Sequence, residues 1–77
     1  MREDEHYYYA HFIDSMVDIR KEKGFTQKEL AIACGLTQSV IARIERKKSA
    51  PTIATLCKIL SALDSKIEIV EISTILK

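Results

Sequence analysis

Apolar residues recur along this chain at helical spacing in four successive stretches, and then the period changes. Phe12, Met16 and Ile19 stand four and three positions apart, which places them on one face of a helix. That helix runs into Arg20-Lys21-Glu22-Lys23-Gly24, where the glycine supplies a stop. A second stripe, Leu30, Ala31 and Cys34, is opened by Thr26 with Glu29 three residues on, the capping-box pattern, and closes at Gly35. Thr37 caps a third helix in which Val40, Ile41 and Ile44 form the buried side, while Gln38, Ser39, Ala42 and Arg43 lie on the other. Pro51 forbids continued helix, Thr52 caps the next, and Ile53, Leu56, Cys57, Ile59, Leu60 and Leu63 then place apolar side chains around much of a fourth helix. That is more than a small core needs, so part of the surplus is expected to face a partner.

From Lys66 to Ile72 the run is β-branched and alternates at its start, which argues for a strand. One strand cannot satisfy its own hydrogen-bond ladder, and an exposed apolar edge invites another chain. Ile67, Ile69, Val70 and Ile72 are therefore expected to pair with their copies across a two-fold axis. The competing expectation is a tail that folds back within the monomer as strand or helix.

The 77 residues make one small domain, whose modest core oligomerisation would help to stabilise. It divides into an acidic, Tyr-rich N-terminal extension over 1–11, a helical domain over 12–64 and a C-terminal dimerisation strand and tail over 65–77. Tyr7, Tyr8 and Tyr9 form either a frayed arm or an extension of the first helix. Three adjacent tyrosines cannot share one helix face, so at least one is expected at the surface, against a partner subunit.

The exposed side of the third helix carries the chemistry. Gln and Arg are the side chains that make bidentate contacts to adenine and guanine edges, and here they stand near the start of a short capped helix. Gln38, Ser39, Ala42 and Arg43 are the candidate base readers. A capped helix, a glycine turn and a second capped helix, in that order, form a fairly specific signal for DNA reading. Arg46, Lys47 and Lys48 follow in a loop and suit phosphate, although such a run also serves plain solubility.

A net charge of +1 looks unfavourable for a nucleic-acid binder until it is divided along the chain. Residues 1–18 carry −4, residues 19–58 carry +6 and residues 59–77 carry −1. The basic segment coincides with the helix pair, although an ordinary solvated charged surface would also contain such a run.

Other classes are disfavoured. No apolar run approaches the roughly 20 residues that span a bilayer, and the acidic start is unlike a signal peptide, so a cytoplasmic protein without a membrane role is expected. Cys34 and Cys57 lack CxxC or Cys/His spacing and read as small hydrophobes on core faces, and His6 and His11 read as surface residues. No metal or cofactor is expected. With no nucleophile–base pair, metal set or phosphate loop, neither is an enzyme. A protein-interaction module that kept the helical fold without reading DNA is the alternative.

The segments FTQKELA, GLTQSVIARIE and PTIATLCKIL closely resemble the phage repressor/Cro-like, Xre-type helix-turn-helix family over Phe12 to Leu63. The resemblance implies an all-α, lambda repressor-like bundle of four to five helices, to which the C-terminal strand is added. It implies that Gln27 touches phosphate and braces the recognition helix, with Lys28 and Thr37 beside it at the backbone. It implies that Gln38, Ser39 and Arg43 reach bases, and that Arg20 forms a partly buried ion pair with Glu45, the alternative being two solvated charges that contribute little to stability. The family's loop after the recognition helix usually carries Gly, and here it reads Arg46-Lys47-Lys48.

A helix-turn-helix followed directly by a strand is also similar to the small antitoxins of type II toxin–antitoxin pairs, which makes a toxin protein a candidate partner. The expected whole is a homodimeric repressor on a palindromic operator in double-stranded DNA.

Overall fold

The computed structural model describes residues 3–71 and contains four helices: α1 (Glu3–Glu22), α2 (Gln27–Cys34), α3 (Gln38–Glu45) and α4 (Ile53–Ala62). Helices α2 and α3 pack tightly on each other across the turn at Gly35, α4 closes against α2, and α1 lies on α3. The core between them is Ile13, Met16, Leu30, Ala31, Ile41, Ile44, Leu56, Ile59, Leu60 and Leu63. Burying each of the larger side chains contributes roughly 1.5–3 kcal/mol, set against the chain entropy lost on folding.

The helix boundaries follow from local chemistry. Thr26 Oγ1 accepts from the Glu29 amide at 3.0 Å while a Glu29 carboxylate oxygen accepts from the Thr26 amide at 2.9 Å, so the capping box is complete. Thr37 and Thr52 cap α3 and α4 in the same way, accepting from the Val40 amide at 3.2 Å and the Thr55 amide at 3.1 Å. Every helix ends on a residue with positive φ: Gly24, Gly35, Lys47 and Asp64, at 78°, 74°, 61° and 53°. At each end the amide of that residue and the one after it turn back to the last carbonyls, as in Leu36 N to Ala31 O and Lys48 N to Arg43 O, both 2.9 Å. This is the Schellman arrangement.

Several expectations about faces are corrected. The seam of α1 is centred on Ile13, Met16 and Arg20, with Phe12 and Ile19 only flanking it. Adjacent residues on a helix are about 100° apart, so apolar residues at both 12 and 13 leave the choice to packing. Val40 is 37% exposed rather than buried, and Cys57 is exposed, with Cys34 half-buried. A ten-residue α4 rich in apolar positions cannot turn all of them inward, and Ile53 at its first turn remains 65% exposed. Residues 3–11 continue α1 without a break, so the acidic, Tyr-rich segment is helical where it is described.

Beyond Asp64 the chain takes no regular structure as far as Glu71, and among the described residues there is no strand. A strand exists through its ladder, and a lone chain offers this segment no edge. Ile67 packs against the core, whereas Ile69 and Val70 stand in solvent. Ile72 lies outside the described residues. None of the described helices is long and apolar enough to cross a membrane.

Candidate nucleic-acid interface

Helix α3 separates two functions by periodicity. Ile41 and Ile44 are each 1% exposed and anchor it in the core. Gln38, Ser39 and Arg43 point to solvent, Ala42 is half-buried between them, and with Arg46 they line one shallow depression. A methyl flanked by amide, hydroxyl and guanidinium donors is a surface able to read base edges. The N-terminal amides of α3 and its dipole add a weak positive field at the Gln38 end of this surface.

The inner end of α3 is fixed by a charged network. Arg20 donates through Nε to Glu45 Oε2 at 2.6 Å and through Nη2 to Glu45 Oε1 at 3.0 Å. A third donor, Nη1, reaches the Phe25 carbonyl at 2.7 Å. Gln27 Nε2 donates to Glu45 Oε1 at 2.9 Å, which ties the first turn of α2 to the last turn of α3. Both charged side chains are more than nine-tenths buried, so the guanidinium–carboxylate fork replaces the water that each has lost. The two helices of the pair are thereby held at one angle.

The basic loop is less uniform than its sequence suggests. Arg46 and Lys48 are exposed. Lys47 occupies the left-handed position that closes α3, and its Nζ lies 2.6 Å from Asp14 Oδ1 on α1. Its ammonium thus pairs with an acid of α1 at the surface, where Arg46 and Lys48 have no such partner among the described residues. Two residues further on, the Ser49 carbonyl accepts from the Tyr9 hydroxyl at 3.0 Å. Sequence reasoning missed both Tyr9 and Asp14. Their partners are 40 and 33 positions away, and no local spacing connects them. The one available signal was the run Arg46-Lys47-Lys48 in a loop that usually carries glycine in the resembled family.

The remaining candidates take ordinary places. Lys28 and Thr37 are exposed at the starts of α2 and α3, and the Thr37 hydroxyl hydrogen stays available while its oxygen caps α3. Cys34 and Cys57 are free thiols lining one cleft with Ala33, Ala54 and Lys58. Among the described residues no group of His, Cys, Asp and Glu is arranged to hold a metal ion.

Known proteins resemble this arrangement in sequence and in fold. A family model described as helix-turn-helix matches residues 17–70. The HTH-type transcriptional regulator SutR of Escherichia coli (strain K12) is 36% identical over 56 residues, covering 71% of this chain and 32% of that protein. An uncharacterized HTH-type transcriptional regulator of Haemophilus influenzae is 36% identical over 58 residues, covering 75% of this chain and 59% of its own length. The chain thus spans between a third and three fifths of these relatives. Among solved structures, a toxin–antitoxin module from Streptococcus pneumoniae superposes with a TM-score of 0.72 at 30% identity, covering 92% of this chain and 81% of that one.

Proposed function

This chain belongs to the helix-turn-helix family, and from that premise we propose that it is a sequence-specific DNA-binding transcriptional regulator, a dimeric repressor of its own operon. The observation that carries the reading is the division of α3, whose apolar side is locked into the core while Gln38, Ser39, Ala42 and Arg43 share one open surface. Those four read bases. Lys28, the Thr37 hydroxyl, Arg46 and Lys48 hold phosphates on either side. Gln27 has a second amide hydrogen beyond the one given to Glu45, and it serves phosphate while bracing α3. The domain works in the cytoplasm by occupancy of DNA, without turnover of a substrate.

Dimerisation runs through the tail. Ile69 is 94% exposed and Val70 is exposed beside it, an apolar edge suited to antiparallel pairing with a second copy. Pairing there sets two recognition helices at a spacing that matches the halves of a palindromic operator. The similarity to a toxin–antitoxin module supports a further role as the antitoxin of such a pair, with a toxin protein as partner.

The test is binding of the purified protein to DNA upstream of its own gene at two salt concentrations, beside Gln38→Ala/Arg43→Ala. Saturable, salt-sensitive binding that the double variant loses is expected. Equal binding to random DNA would overturn base reading and leave a protein-docking module in its place.

A further inference from the structure

Three side chains of α1 meet three consecutive odd-numbered positions beyond the base-reading surface, in antiparallel order. Arg20 holds Glu45, Asp14 holds Lys47 at 2.6 Å, and Tyr9 donates to the Ser49 carbonyl at 3.0 Å. The positions between them, Arg46 and Lys48, are the ones that face solvent. The loop is therefore laced to α1 on alternate residues and presents its free cations on the others.

Lys47 makes the purpose of the lacing visible. Its φ of 61° is a conformation glycine adopts without strain and lysine does not, and the same position at the end of α2 is indeed Gly35. A glycine would close α3 equally well but would bring no amine to Asp14. The side chain that carries the strain is the one that binds the loop to α1.

We infer that Tyr9, Asp14 and Lys47 are positioning residues for DNA binding: they hold the loop after α3 in one place, so that Arg46 and Lys48 meet the phosphate backbone already ordered. This rests on the DNA-binding reading above. Lys47 is on this account an anchor, and its charge is spent on Asp14 rather than on phosphate. Preordering matters because an unordered loop must lose its freedom at the moment of binding, which weakens association without removing a contact.

The experiment measures affinity for the promoter DNA and its salt slope for the whole protein, with thermal unfolding alongside. Tyr9→Phe removes one hydroxyl and no charge, and it is expected to weaken binding by roughly three- to tenfold with the salt slope unchanged, the size of one hydrogen bond's contribution. Asp14→Lys/Lys47→Asp restores the pair with reversed polarity and unaltered net charge, and aspartate tolerates the left-handed conformation. Recovery of wild-type affinity and slope in this exchange, against a loss in Lys47→Asp alone, supports anchoring. An exchange variant whose salt slope stays lower by about one unit would show Lys47 itself on phosphate and overturn the inference. Wild-type affinity in Tyr9→Phe, with binding to DNA intact, would also overturn it while leaving the DNA reading standing. Failure of the wild-type protein to bind the promoter would remove both together.

Discussion

Arg20 and Glu45 lie 25 residues apart in sequence, yet Arg20 Nε donates to Glu45 Oε2 at 2.6 Å in a place that water barely reaches. The same carboxylate receives Gln27, so a single side chain joins α1, α2 and α3. Removing one partner of a buried pair leaves the other charge uncompensated. Glu45→Ala is expected to destabilise the domain by about 3 kcal/mol or more, measured by urea unfolding. A loss below about half a kcal/mol would mean that Arg20 finds water after all, as exposed pairs do.

The base-reading and phosphate-holding assignments separate by sequence dependence. Gln38→Ala is expected to cost about 1–3 kcal/mol against the preferred base at one operator position and to relax preference there. Lys48→Ala should weaken all sequences alike and reduce the salt slope by about one unit. Titrations against a panel of single-base operator variants distinguish the two. An equal loss on every sequence in Gln38→Ala would demote that residue to a backbone contact.

Glu29 gives the domain a pH dependence of known sign. Its carboxylate accepts from the Thr26 backbone amide and lies near the Thr26 hydroxyl, and these hydrogen bonds hold its pKa below the ordinary value of 4.5. A depressed folded-state pKa means that the stabilising contribution is present above the unfolded value and is lost as pH falls through the folded one. The stability difference between wild type and Glu29→Gln should therefore shrink on acidification through that range, followed as melting temperature against pH. A difference that grows in acid would reverse the assignment.

Gly24 and Gly35 test the helix ends without steric complication. A Cβ added at either would meet nothing within 4 Å, so any cost of alanine there is conformational. Each Gly→Ala substitution should destabilise by about 1 kcal/mol, the left-handed penalty partly offset by a stiffer unfolded chain. No measurable loss would show that the two turns relax to another closing geometry.

The tail carries the dimer prediction. Ile69→Lys places a charge on the apolar edge and should convert the protein to a monomer in sedimentation, weakening operator binding and removing the dependence of the melt on protein concentration, although Ile69 itself contributes little to the core. A dimer that persists would move the interface elsewhere, with exposed Ile53 the next surface to test.

Much of the fold was legible because its signals are local. Thr26 with Glu29, Thr37, Thr52 and the two glycines act within one turn of where they stand, and the starts of α2, α3 and α4 and the ends of α1 and α2 follow from them, whereas the start of α1 at Glu3 and the closing turns at Lys47 and Asp64 do not. Core faces were legible less finely: Ile13 against Phe12, and the outward Val40 and Cys57, were decided by which neighbour filled the space. The Arg20–Glu45 pairing was suggested by the places of Arg20 beside Ile19 and Glu45 beside Ile44 and strengthened by the family resemblance, since nothing in their spacing specifies it.

The sequence by itself determined the three capped helices α2, α3 and α4, the apolar stripes and the composition of the exposed face of α3, because backbone capping and helical period need no distant partner. Only the tertiary structure decided that Lys47 turns to Asp14, that Tyr9 reaches Ser49 and that the bracing expected of Gln27 is made through the Glu45 carboxylate. Those contacts join residues far apart in the chain. Gln27 meets Glu45 once α2 packs on α3, and Asp14 and Tyr9 reach Lys47 and Ser49 once α1 lies across the end of α3.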